Sequence, residues 1–162
     1  MSPVHPDILA ALTAGIQAEV AAYVFYKEAS KQFAEKDLKE VLERLAYEEK
    51  SHFHYLERQY DSLVRSEKWI STADVMKQEG LPEISEDMQD RHRETIDQVR
   101  KAKGKRQILE IALDFEKEAR DLYTAASMQS ETKEAKQTFD ALTKFEESHV
   151  KIIGDMIDKL DD

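Results

Sequence analysis

Residues 46–56 read AYEEKSHFHYL, and the way this stretch is read decides the fold. Tyr47, Phe53, Tyr55 and Leu56 call for burial of part of it, whereas Glu48, Glu49, His52 and His54 bring charge or basic nitrogen. Residues three and four apart share a helix face. On that spacing Leu38, Leu42, Leu45, Glu49, His52, Leu56 and Leu63 form one stripe, with a carboxylate and an imidazole in the middle of leucines. Glu48 and His54 fall on other faces and are expected to be solvated or at a subunit contact.

Three more stripes with helical spacing accompany this one, so four helices are predicted. Helix A is expected from about Pro6 to Phe33, with Leu9, Leu12, Ile16, Glu19, Tyr23, Tyr26, Ser30 and Phe33 inward. Helix B is the one just described, with Asp37 as its expected N-cap. Helix C, from about Lys105 to Met128, places Leu109, Leu113, Glu116, Arg120, Tyr123 and Ser127 on its seam, Arg120 reaching outward along it. Helix D, from about Thr132 to Leu160, places Ala135, Phe139, Leu142, Glu146, His149, Ile153, Met156 and Leu160. Short A–B and C–D connections predict two antiparallel hairpins, at about 6–65 and 105–160. Between them lies a crossover of about 66–104, far longer than the roughly 12 extended residues that would span such a bundle. It is expected to carry local structure: a short helix capped by Ser71 or Thr72 and ending at Gly80-Leu81-Pro82, and a weak helical stripe of Met88, Ile96 and Val99. Trp69 is expected to anchor the crossover to the bundle or to another subunit. The whole of 1–162 is read as one domain.

The two hairpins repeat each other. Glu19, Tyr26, Glu49 and His52 recur 97 residues later as Glu116, Tyr123, Glu146 and His149, and Ala22, Ala29, Ser30 and Leu45 recur with them. One Glu-x-x-His pair is weak, but two pairs at equal distance after two repeated glutamates are not. All six polar residues lie on apolar seams, where charge is least expected. Four carboxylates in one core would cost several kcal/mol each if unpaired. Lys and Arg are nearly absent from the seams, so protein cations do not balance them. Two divalent ions carry the matching charge beside two neutral histidines, and these O and N ligands suit iron or manganese, with zinc possible. A polar core network without metal is the competing reading. Tyr23 is read as packing, and His5 and His92 as surface residues.

Composition narrows the class. The net charge of −10 argues against a nucleic-acid or anionic-membrane partner. Only 4 Gly and 3 Pro argue against an all-β fold with its many turns. There is no cysteine, which excludes disulfides and thiolate-ligated metal from this chain. No stretch reads as a signal peptide or as the roughly 18 apolar residues of a membrane span, so a cytoplasmic location is expected.

The segments AEVAAYVFY (18–26), LAYEEKSH (45–52), ALDFEKEARDLY (112–123) and LTKFEESH (142–149) resemble the rubrerythrin-like branch of the ferritin-like superfamily. That resemblance implies an all-α, ferritin-like antiparallel four-helix bundle around a dimetal-carboxylate centre of two ions per chain, foremost iron. It makes Glu49 and Glu146 the bridging carboxylates, each with its own histidine, and Glu19 and Glu116 the terminal ones. Tyr26 and Tyr123 correspond to tyrosines that hydrogen-bond ligand carboxylates and support catalysis from outside the metal shell. The resemblance stops at Ala119, where rubrerythrins proper have a further glutamate (Glu118 faces elsewhere), and with it stops the redox-linked shift of one iron between a glutamate and a histidine. It also lacks the rubredoxin-type module. The implied function is reduction of hydrogen peroxide or oxygen, with electrons from a separate donor protein and a homodimeric state. Ferroxidase or iron-handling activity, and a non-enzymatic dimetal scaffold, are the alternatives.

Overall fold

The computed structural model describes residues 6–66, 69 and 92–160. Among them are five helices: α1 (Pro6–Ser30), α2 (Lys36–Ser66), α3 (Arg93–Lys101), α4 (Gly104–Gln129) and α5 (Lys133–Leu160). The protein is an all-α, ferritin-like helical bundle. α1 packs chiefly on α2 and α4 chiefly on α5, and α1 joins the two hairpins by its contact with α4. The expected four helices are α1, α2, α4 and α5.

Their ends differ from the sequence reading in ways the backbone explains. α1 stops at Ser30 rather than Phe33, because the amides of Lys31 and Gln32 reach back only three residues, to Glu28 and Ala29. Phe33 still packs on the core from outside the helix. Asp37 lies inside the first turn of α2, where its charge favours the helix N-terminus, and is not the N-cap. Thr132 does cap α5, accepting the Ala135 amide at 3.2 Å. Gly104 has φ 83, a left-handed conformation that suits glycine, and it opens α4 straight after α3.

The crossover expectation holds in part. α3 carries Ile96 and the buried Val99 of the predicted stripe, and both pack onto the bundle. Arg100 of α3 donates to Glu28 of α1 at 3.0 Å, fastening the segment. Met88, and the short helix from Ser71 to Pro82, lie outside the described residues, as does His5. Trp69 meets Phe139 of α5 edge-on at 6.4 Å. His92 is half-buried at the start of α3 and not a free surface residue. Arg120 reaches outward to Asp121 at 3.1 Å.

One expectation needs correction. By length and composition α1 is apolar enough to cross a membrane. Its packing explains this differently: Leu12, Val20, Val24, Phe25 and Ala29 are all buried against the other helices. A central helix of a bundle must be apolar over much of its circumference.

Besides a small group of Val20, Val24 and Phe53, the core divides into two larger apolar clusters. One holds Phe25, Leu42, Leu45, Leu109, Ala112 and Ile153; the other holds Leu12, Leu56, Leu63, Ala119, Phe139 and Leu142. On each of the four long helices, a polar layer separates the residues of one cluster from those of the other.

Candidate metal centre

That layer consists of Glu19 of α1, Glu49 and His52 of α2, Glu116 of α4, and Glu146 and His149 of α5. None exposes more than 5% of its surface. The six residues converge, and they do so as two half-sites. In the first, His52 Nδ1 lies 3.5 Å from Glu19 Oε2, 3.6 Å from Glu49 Oε2 and 3.3 Å from Glu146 Oε1. In the second, His149 Nδ1 lies 2.6 Å from Glu49 Oε1, 3.3 Å from Glu116 Oε1 and 3.8 Å from Glu146 Oε2. Glu49 and Glu146 thus each turn one oxygen toward each histidine. Ligand atoms from Glu49, His52, Glu146 and His149 all lie within 4.8 Å of one another.

The tyrosines cross between the hairpins. Tyr26 donates to Glu116 Oε1 at 2.5 Å, and Tyr123 donates to Glu19 Oε1 at 2.7 Å. Both rings are fully buried. The repeat maps one bond onto the other, and the opposite numbering (19 with 123, 26 with 116) shows α1 and α4 running antiparallel. Gly15 makes room for this arrangement. A Cβ there would stand 2.9 Å from Tyr123 Cε1 and 3.1 Å from both its hydroxyl and Leu56 Cδ1. Gly15→Ala should therefore destabilise the protein by about 1–2 kcal/mol in denaturant unfolding, although alanine is the better helix former. A gain in stability would mean that the Tyr123 ring can move aside freely. Gly154, by contrast, has open space where a Cβ would be.

Electrostatics shows what the layer lacks. Burial raises the Glu49 carboxyl well above its ordinary pKa, helped by the charges of Glu116, Glu146 and Glu19. Burial likewise raises Glu146, with Glu19 and Glu116 adding to it. In Glu19 burial also pushes upward, but hydrogen bonding to Glu49 and the His52 charge outweigh it and hold the group down at about 2. Glu116 is lowered against its own burial by hydrogen bonds with Glu146 and His149. Burial works against charge on both imidazoles, yet the carboxylates around them raise both. Among the described residues, the cations that chiefly hold Glu19 and Glu116 down are His52 and His149 respectively. Apart from their contacts with one another, Glu19 Oε2, Glu49 Oε2, both Glu146 oxygens and His52 Nδ1 are buried without a hydrogen-bond partner among the described residues. Such orphaned acceptors are rare in protein cores. They are all candidate ligand atoms, and they suit a pair of divalent ions with mixed O and N coordination.

A family model described as Rubrerythrin matches residues 10–103, more than half of the chain. The chain belongs to the rubrerythrin family. Family and cluster together indicate a dimetal-binding site. The matched residues of this rubrerythrin-family chain include Glu19, Glu49 and His52; Glu116, Glu146 and His149 lie beyond them and join the layer through the fold. Comparisons with curated proteins and with solved structures returned no match.

Two polar residues of α2 depart from expectation. Glu48 is not simply solvated: its Oε2 lies 2.8 Å from His149 Nε2. His54 is buried, with neither ring nitrogen hydrogen-bonded among the described residues. Glu48 is placed by its contact with α5 and not by its own periodicity. For Glu48 the repeat held a signal, since its counterpart is Phe145. Ala119 is buried and Glu118 exposed, so neither adds a carboxylate to the layer.

Proposed function

We propose that the protein is a diiron redox protein that reduces hydrogen peroxide or oxygen with electrons from a separate donor protein, in the cytoplasm and as a homodimer. The observation that supports this most is the pair of half-sites sharing Glu49 and Glu146. An iron pair, when bound, would supply two electrons and Lewis acidity to one small oxidant. Reduction of hydrogen peroxide to two waters takes two electrons and two protons, so a two-ion centre matches one turnover.

The chain's own residues would hold this centre. Glu49 and Glu146 are shared by the two half-sites and would serve both ions, while His52 with Glu19 and His149 with Glu116 would hold the two ends. Tyr26 and Tyr123 occupy one oxygen of Glu116 and of Glu19, which fixes each carboxylate plane; outer hydrogen bonds of this kind orient ligands and tune the metal. The apolar clusters above and below keep bulk water away, which strengthens every charge interaction inside. The test is peroxide consumption by anaerobically ferrous-loaded protein. Wild type should consume it faster than Glu49→Ala treated identically, and equal rates would sink the proposal. Oxidised iron that leaves the site and accumulates beyond two per chain would instead favour a ferroxidase.

A further inference from the structure

The two halves of the layer match in their ligands but not in what stands behind their histidines. Behind His149 is Glu48, whose Oε2 lies 2.8 Å from Nε2, the nitrogen turned away from the ligand cluster. The other Glu48 oxygen accepts from Arg44 Nε at 3.4 Å, one turn earlier on α2. The repeat puts Phe145 where Glu48 would recur, and Phe145 lies flat against His52, with ring centres 4.9 Å apart and planes 9° apart. The carboxylates facing His52 among the described residues all stand at its Nδ1. One imidazole is therefore backed by a carboxylate and the other by an aromatic face.

We infer that Glu48 is a positioning residue that makes the two metal positions inequivalent, so that the ion held by His149 binds first and more tightly than the ion held by His52. This rests on the dimetal reading above. With the His149 Nε2–H donated to Glu48, the Nδ1 lone pair is fixed toward the ion and the ring becomes a more basic ligand. The Glu48 charge adds attraction for a cation at that end. Phe145 holds the plane of His52 but contributes neither a hydrogen-bond acceptor nor a charge. Arg44, largely exposed, keeps Glu48 oriented without neutralising it fully.

The experiment is a cobalt(II) titration of metal-free wild type, Glu48→Gln and Glu48→Leu, followed by calorimetry and by the paramagnetically shifted imidazole N–H signals. Glu48→Gln keeps an acceptor and loses the charge; Glu48→Leu loses both. Wild type should bind two ions in separate steps, and the tighter step should weaken by about 10- to 100-fold in Glu48→Leu, with Glu48→Gln between. The N–H proton of cobalt-bound His149 should exchange slowly with solvent in wild type and quickly in Glu48→Leu, while that of His52 is unchanged. A merely structural role for Glu48 would not move one N–H signal selectively. Two equal steps in wild type, or unequal steps that neither variant alters, would overturn the inference while leaving the dimetal reading in place. A wild type that does not take up two ions overturns that reading, and this inference with it.

Discussion

Glu49→Leu should abolish tight binding of a ferrous pair and, in the same molecule, make the metal-free protein harder to unfold. The two effects share one cause. Glu49 turns Oε1 toward His149 and Oε2 toward His52, so both half-sites lose a ligand together. Losing an outer-shell partner typically costs 10–100-fold in metal affinity, so losing a shared ligand should cost more than about 100-fold. Without metal, the same carboxyl is a liability: it is 1% exposed and its Oε2 has no hydrogen-bond partner among the described residues. A buried polar atom left without a hydrogen-bond partner costs about 1–3 kcal/mol, which an apolar side chain of similar volume removes. A gain of about 1–2 kcal/mol is expected here, since only one of the four carboxylates is removed. Anaerobic ferrous titration and urea unfolding in chelator measure the two effects. Two tight ions retained by the variant would remove Glu49 from the centre. A loss of metal-free stability would mean that the layer holds the bundle together as a polar network.

The second large effect is a stability of the metal-free protein that falls as pH rises through neutrality. Glu49, Glu146, His52 and His149 all have folded-state pKa values raised above their ordinary ones. The folded protein therefore binds more protons than the unfolded chain above about pH 4.5 for the carboxyls and about 6.5 for the imidazoles. Their contribution is complete below those values and is lost as pH climbs through the folded pKa. Glu19 and Glu116 act oppositely. Their lowered values stabilise the fold above about 4.5, and that is lost as pH falls, toward about 2 for Glu19. The optimum without metal should thus lie near pH 5, and each excess proton contributes a slope of about 1.4 kcal/mol per pH unit above it. Metal reverses this, because its ligands must be deprotonated. Loading two divalent ions should release up to four protons, from Glu49, Glu146, His52 and His149, measurable by calorimetry in buffers of different ionisation enthalpy. A metal-free stability that is flat from pH 5 to 8 would show that the layer does not store those protons.

Much of this was legible in one dimension. Helix number and spacing follow from the apolar stripes because burial on a helix face is a local, periodic property. The repeat gathered Glu19, Glu49, His52, Glu116, Glu146 and His149 without any knowledge of which helix touches which. Polar residues on an apolar seam conflict with burial, and that conflict is visible in the sequence itself. Where the reading failed, a neighbour had intervened. Phe33 stays in the core after its helix has ended, and His54 is buried on a face that α2 alone would leave to solvent.

What the sequence by itself determined, then, is that the six carboxylate and imidazole residues turn inward and come in two matched sets, since both are properties of spacing along a chain. Only the tertiary structure decided partners across helices. Tyr26 serves Glu116 and not Glu19 on its own helix, Glu49 divides its oxygens between two histidines, and Glu48 backs one histidine where Phe145 backs the other. Hydrogen bonds extend about 3 Å, and periodicity carries no information about which helix arrives at that distance.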